Sequence, residues 1–304
     1  MSHFKKCSRL NCNYRCHSDM KNNGGLYCCL YCKQSKPHGD LCQRQDYLNG
    51  SIESSHKIFI NQWYGRLGNN IIQLHNAILT GLYYNKDIVI KPHRFFSNTK
   101  NIVINSNPKP YYVVTDPTYY FYRSYMCPEI YSNNNEIALE RLRDCFVIKG
   151  NRLTPLNEDE AVIHIRSGDI FINDINVEYY QPPLSWYIHL IKEKNFSKIY
   201  LISENRQNPC LNKLLSLFPE KIFYKDNNKL DDDIKLLLAA KHVISSNGTF
   251  VKQLLLFSSY IQNVFTYENK DYARLMFPWE NSVTQHKIML TFDENKPNNG
   301  LDIM

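Results

Sequence analysis

Past residue 160 the chain alternates short apolar runs with longer stretches of helical periodicity. Val162-Ile-His-Ile, Lys198-Ile-Tyr-Leu-Ile202, Lys221-Ile-Phe-Tyr, His242-Val-Ile-Ser and Asn263-Val-Phe-Thr-Tyr267 read as strands apolar enough to be covered on both faces. Between the first two, Pro183 to Lys194 sets Leu184, Tyr187, Ile188 and Ile191 on one side, with proline in the first turn. Pro209 to Phe218, Asp231 to Ala240 and Gly248 to Phe257 read as further helices, and the acidic start Asp231-Asp-Asp suits a helix dipole. Five strands alternating with four helices predict a doubly wound parallel sheet.

A second α/β pattern precedes it. Lys57-Ile-Phe-Ile-Asn61 reads as a strand, Gly65-Arg-Leu-Gly-Asn-Asn70 as a glycine-rich turn, Ile71 to Tyr84 as a helix and Asp87-Ile-Val-Ile90 as the next strand. Free amides at such a helix start point at an anion, although an ordinary tight βα turn has the same composition. Between residues 95 and 150 the pattern is weaker, with strands expected at Tyr111-Tyr-Val-Val-Thr and Cys145-Phe-Val-Ile-Lys. The expected organisation is a module over 1–46, a polar linker over 47–56, α/β domains over 57–158 and 159–280, and a tail over 281–304.

The strand ends carry the chemistry. Val162-Ile-His-Ile breaks at Ser167-Gly168 and presents His164, Arg166 and Asp169 where open α/β sheets bind ligands. Charge at a buried strand end needs a partner. An arginine there reads first as a phosphate clamp, because its planar fork matches phosphate oxygens two at a time. A structural Arg–Asp pair is the other reading. Ser203-Glu204 and Ser245-Ser-Asn-Gly-Thr-Phe250 are two further polar strand ends. In the second, Ser246, Asn247, Gly248 and Thr249 offer hydroxyls and amides to a diphosphate, while Ser246, Asn247 or Thr249 would serve equally as helix caps.

Charge and cysteine usage add the class of partner and a third region. A net charge of +7 suits an anionic ligand, although the basic residues are scattered. Seven of the ten cysteines fall in the first 42 residues: Cys7, Cys12, Cys16, Cys28, Cys29, Cys32 and Cys42, with His17 and His38 among them. So short a segment needs cross-links or metal to fold. Structural zinc on Cys7, Cys12, Cys16, Cys28, Cys29, Cys32, His38 and Cys42 is the first reading, and disulfides or free thiols are the others. Such a module contacts protein or, as a second option, nucleic acid. Met-Ser-His-Phe-Lys-Lys opens on no apolar signal core, and no run approaches a membrane span, so a soluble cytoplasmic protein is expected.

In order, Gly65-Arg-Leu-Gly-Asn69, His164-Ile-Arg-Ser-Gly-Asp169, Ile202-Ser-Glu204 and Ser245-Ser-Asn-Gly-Thr-Phe250 resemble the α-1,2-fucosyltransferase family, whose members show GRxGNQ, HxRRGD, FSDD and SNSTFSWW in that order. The resemblance spans about residues 57 to 268 and leaves out the cysteine module. It implies a GT-B-like fold of two Rossmann-like domains facing a cleft. It also implies GDP-β-L-fucose as donor, a glycan or glycoprotein acceptor, and inverting transfer without a catalytic metal. By the same resemblance Arg166 grips the donor β-phosphate and His164 shapes the nucleotide pocket. Gly65, Gly68 and Asn69 line the opposite domain's side. Ser203, Glu204, Ser246, Asn247, Gly248, Thr249 and Phe250 hold the donor, and Asp231 to Asp233 lie near the guanine or ribose. Asp174, then Asp169, are the expected bases.

The chain departs from the family at three places. Ser167 stands where the family has a second arginine, Asn70 where it has glutamine, and Lys252-Gln253 where it has a tryptophan pair. These departures keep two alternatives open: another nucleotide deoxysugar as donor, or a non-catalytic sugar- or nucleotide-binding protein with a zinc interaction module.

Overall fold

The structure is a computed structural model and describes residues 57–106, 112–114, 134–150, 153–171, 181–267 and 284–287. The chain divides into two compact units, residues 1–147 and 148–304.

In the first unit β1 (Lys57–Ile60), α1 (Leu67–Tyr84) and β2 (Asp87–Ile90) form a βαβ unit, followed by β3 (Ile102–Ile104) and β4 (Tyr112–Val114). All pairings are parallel and the order is β3-β2-β1-β4. Ile58, Phe59 and Ile60 of β1 and Ile71, Leu74, Ala77 and Ile78 of α1 are all buried. Each of the larger side chains contributes roughly 1.5–3 kcal/mol by leaving water. The helix begins at Leu67, four residues before the expected Ile71, so Gly68 and Asn69 belong to its first turn. α2 (Asn135–Cys145) packs on α1 through Ala138, Leu139, Leu142 and Cys145.

That helix corrects the strand expected at Cys145-Phe-Val-Ile-Lys. Cys145 is its last residue, and Phe146 makes a single antiparallel bridge to Phe96. The apolar positions of α2 recur at helical spacing but are diluted by five charged residues, which hid the period. The half-buried Phe146 ring packs beside Phe95 and Phe96, at 6.2 Å from each centroid, without extending a ladder.

The second unit follows its pattern closely. β5 (Glu160–Ile165), α3 (Leu184–Lys194), β6 (Lys198–Ser203), α4 (Pro209–Leu217), β7 (Ile222–Tyr224), α5 (Leu230–Ala239), β8 (His242–Ser245), α6 (Thr249–Leu254) and β9 (Asn263–Thr266) alternate as expected. β10 (Thr284–Lys287) adds an edge strand from the stretch read as a tail. All pairs are parallel, in the order β10-β9-β8-β5-β6-β7.

One core joins Ala161, Ile163 and Ile165 to Trp186, Tyr187 and Leu190 of α3 and to Leu211 and Leu214 of α4. Strand alternation turns Val162 and His164 to the other face. The chain moves outward from β5 to β7, then returns to the far side of β5 at β8. That reversal makes the crevice outside the carboxyl ends of β5 and β8 the topological switch point, where such sheets take ligands.

Candidate functional site

Register places His164 opposite Ser245 at the carboxyl ends of β5 and β8. The Ser246 backbone N–H donates to the His164 carbonyl at 3.0 Å. The Ser246 hydroxyl accepts the Arg166 backbone N–H at 3.0 Å and lies 2.8 Å from His164 Nδ1. Ser246 is 2% exposed, so its own proton needs an acceptor within the protein, and Nδ1 supplies one. Nε2 then carries the imidazole proton. Burial, reinforced by the Arg166 charge, pulls the His164 pKa down to about 4, so the ring is neutral at pH 7. Phe250 flanks it, with ring centroids 5.6 Å apart.

Arg166 leaves the strand immediately after Ile165, and its guanidinium lies over the backbone of residue 248. A Cβ on Gly248 would stand 2.9 Å from Arg166 Nη1, and Gly248 also has φ +132°. Glycine is therefore required for conformation, and a Cβ there would also push the end of the Arg166 side chain aside. Arg166 Nη2 sits 3.5 Å from Asp169 Oδ2, with the two side chains 20% and 44% exposed. A pair so long and so open to water contributes little to stability. Its effect is to orient the fork, and it places Asp169 on Arg166.

Ser167 is 2% exposed and its hydroxyl is consumed inside the protein. It donates to Asn205 Oδ1 at 2.6 Å and accepts the Asn208 backbone N–H at 3.1 Å. Asn208 Nδ2 donates to the Arg166 carbonyl at 2.9 Å, while Asn208 Oδ1 caps α4 by accepting from Cys210 N–H at 3.0 Å. Gly168, at φ +71°, turns the chain under Glu204, whose carboxylate occupies the space a Cβ would need. Glu204 is exposed, and Ser203 spends its hydroxyl locally on the Asn205 carbonyl at 3.0 Å.

Two expectations change here. Ser246 does not cap α6: the N-cap is Gly248, with no side-chain cap, because the Ser246 hydroxyl is engaged by His164 and Arg166. α6 itself spans six residues, Thr249 to Leu254, before a single 3₁₀ turn over Leu255–Phe257, so any anion contact there rests on individual amides more than on a long helix. Asp231, Asp232 and Asp233 do open α5, where Asp233 accepts from Asn228 Nδ2 at 2.8 Å and burial raises its pKa.

In the first unit the loop after β1 is held by buried amides, of which the sequence singled out only Asn70. Tyr64 N–H donates to Gln73 Oε1 at 3.0 Å, Gln73 Nε2 donates to the Gln62 carbonyl at 2.9 Å, and Asn70 Nδ2 donates to the Tyr64 carbonyl at 2.8 Å. His93 completes the set. Its Nδ1 accepts the Phe95 N–H at 3.2 Å, so Nε2 carries the proton to Asn70 Oδ1, also at 3.2 Å. Burial holds this imidazole near pKa 4, and it stacks on Phe96 at 4.4 Å. Gly65 sits over the Asn69 amide, and Gly68 is buried in the first turn of α1.

Asp174 and the set Cys7, Cys12, Cys16, Cys28, Cys29, Cys32, His38 and Cys42 lie outside the described residues. Among the described residues no group of three or more His, Cys, Asp or Glu side chains is placed to hold a metal ion. No described helix is long and apolar enough to cross a membrane.

No protein-family model and no curated protein matches the sequence. Solved structures do. An α-1,6-fucosyltransferase, NodZ, co-crystallised with GDP is similar at 12% identity, covering 71% of this chain and 96% of its own, with a TM-score of 0.45. The NodZ fucosyltransferase from Bradyrhizobium aligns at 12% identity, 67% and 94% coverage and a TM-score of 0.43. POFUT1 in complex with GDP aligns at 8% identity, 70% and 98% coverage and a TM-score of 0.42.

Proposed function

We propose that the protein is a nucleotide-sugar glycosyltransferase, and more narrowly that it transfers L-fucose from GDP-β-L-fucose to a glycan hydroxyl. The observation that carries this is the guanidinium of Arg166 beside the Gly248 backbone at the switch point of the second sheet. The motif order around it supplies the donor, and an α-1,2 linkage is the finer reading that the same resemblance favours.

In the proposed reaction the acceptor oxygen attacks the anomeric carbon with inversion, and the bond from that carbon to the β-phosphate oxygen breaks. Negative charge then grows on the departing diphosphate. In this reading Arg166 and the His164 Nε2–H meet it with one full charge and one neutral donor. Arginine provides this stabilisation without a divalent cation. The acceptor proton leaves to a carboxylate, for which Asp174 is the proposed group. Asp169 is the weaker candidate, since it lies against Arg166.

A donor screen tests the reading. The full-length chain is incubated with GDP-fucose, other GDP-sugars, UDP-sugars and dTDP-deoxysugars plus mixed glycan acceptors, and products are read by mass spectrometry. Mass addition of a deoxyhexose from GDP-fucose alone is the expected result. Turnover of a UDP- or dTDP-sugar in preference would replace the donor. Nucleotide binding with no turnover of any donor would replace the enzyme by a binding protein.

A further inference from the structure

Arg166 is gripped from both sides of β5, and the two grips differ in kind. On the β8 side, Ser246 Oγ accepts its backbone N–H. On the β6 side, Asn208 Nδ2 donates to its carbonyl at 2.9 Å. Asn208 is 2% exposed, so this amide has little freedom to turn away. It also connects Arg166 to rigid structure. Its Oδ1 caps α4, its own N–H donates to Ser167 Oγ at 3.1 Å, and Ser167 in turn donates to Asn205 at 2.6 Å. Ser167 is thus a hub in the wall behind Arg166 and not a group aimed at a ligand.

From this we infer that Asn208, with Ser167 as its partner, is a positioning residue for Arg166. It fixes the peptide plane from which the guanidinium projects and so sets how much of the diphosphate charge that side chain can meet. The inference rests on the reading of Arg166 as a diphosphate clamp. It also gives Ser167 a physical role. A serine fits this buried hub, whereas a side chain with a full charge would have to leave it and break the links to Asn205 and Asn208.

Asn208 has two separable functions, which makes a clean experiment possible. Asn208→Asp and Asn208→Ser both keep a side-chain oxygen that caps α4, and both remove the Nδ2 donor to the Arg166 carbonyl. The measurement is calorimetric binding of GDP and of guanosine to the full chain carrying each variant, alone and in an Arg166→Ala background. Thermal melts run alongside.

The expected result has three parts. GDP affinity falls about tenfold or more in both Asn208 variants, guanosine affinity changes less than about threefold, and the Asn208 change adds nothing once Arg166 is alanine. Loss confined to the phosphate-dependent part, and absent without Arg166, is not what a general lesion of α4 would produce. If either variant keeps wild-type GDP affinity while Arg166→Ala loses it, the positioning role is wrong and the clamp stands. If GDP and guanosine weaken equally, Asn208 is merely structural. Should Arg166→Ala itself leave binding of GDP, UDP, dTDP and inorganic pyrophosphate unchanged, the clamp reading fails first.

Discussion

Ser246 and His164 are joined at two levels, backbone to backbone at 3.0 Å and hydroxyl to imidazole at 2.8 Å. Because the same hydroxyl accepts the Arg166 N–H, the histidine has one consistent tautomer, with Nδ1 bare and Nε2 protonated. Nitrogen-15 spectra of the imidazole at pH 7 should show that form. A protonated Nδ1 would disprove the assignment. Ser246→Ala should cost about 1–3 kcal/mol in urea unfolding, since it leaves two buried polar groups short of a partner.

Arg166→Ala should lower kcat/KM for the donor by a factor of roughly 100–1000, equivalent to ~2–4 kcal/mol of transition-state stabilisation. Its side chain is 20% exposed and its ion pair is weak, so the melting temperature should hardly move. Activity within threefold of wild type would remove Arg166 from the reaction.

Gly248→Ala should damage both fold and site. The backbone at φ +132° disfavours any side chain, and the new methyl would press on Arg166 Nη1. A loss on the order of 1–3 kcal/mol in urea titrations is expected. Calorimetry should show GDP affinity falling at temperatures where the variant remains folded. Unchanged affinity would mean that the guanidinium does not work from its position over residue 248.

Acid should destabilise the first unit through His75 and His93 and the second through His164. All three are pulled from 6.5 to about 4, chiefly by burial. Between those values the unfolded chain binds more protons than the folded one, so stability is full above pH 6.5 and falls as the pH drops toward 4. At pH 5 each histidine should have removed on the order of 2 kcal/mol. Denaturant midpoints at pH 7 and pH 5 measure this, and His75→Gln should flatten its share.

Asn70 links Tyr64 to His93, and its removal should loosen the loop after β1. Asn70→Ala removes the donor to the Tyr64 carbonyl and the acceptor of the His93 Nε2–H at a site 5% exposed, with an expected loss of about 1–3 kcal/mol. Asn70→Asp should be worse than Asn70→Ser, because a carboxylate would face the Tyr64 carbonyl where an amide donated. Hydrogen exchange at the Tyr64 amide reads the local opening directly. Wild-type protection in Asn70→Ala would exclude the linkage.

The residue pattern alone determined the elements of the second unit and the polar character of its strand ends. Both are local properties. A buried parallel strand is a short apolar run, a helix repeats every 3.6 residues, and His164, Arg166 and Ser245 to Phe250 fall where those periods stop. Composition could also hide an element, as it did for α2, where charge masked the Ala138, Leu139, Leu142 period. Only the tertiary structure decided which strand ends meet. Arg166 and Ser246 are 80 residues apart, and Arg166 and Asn208 are 42 apart, so no local pattern could pair them. Strand order brought β5 beside β8 and β6. Buried polar groups need partners there, and that need turned a serine and an asparagine into the two grips on Arg166.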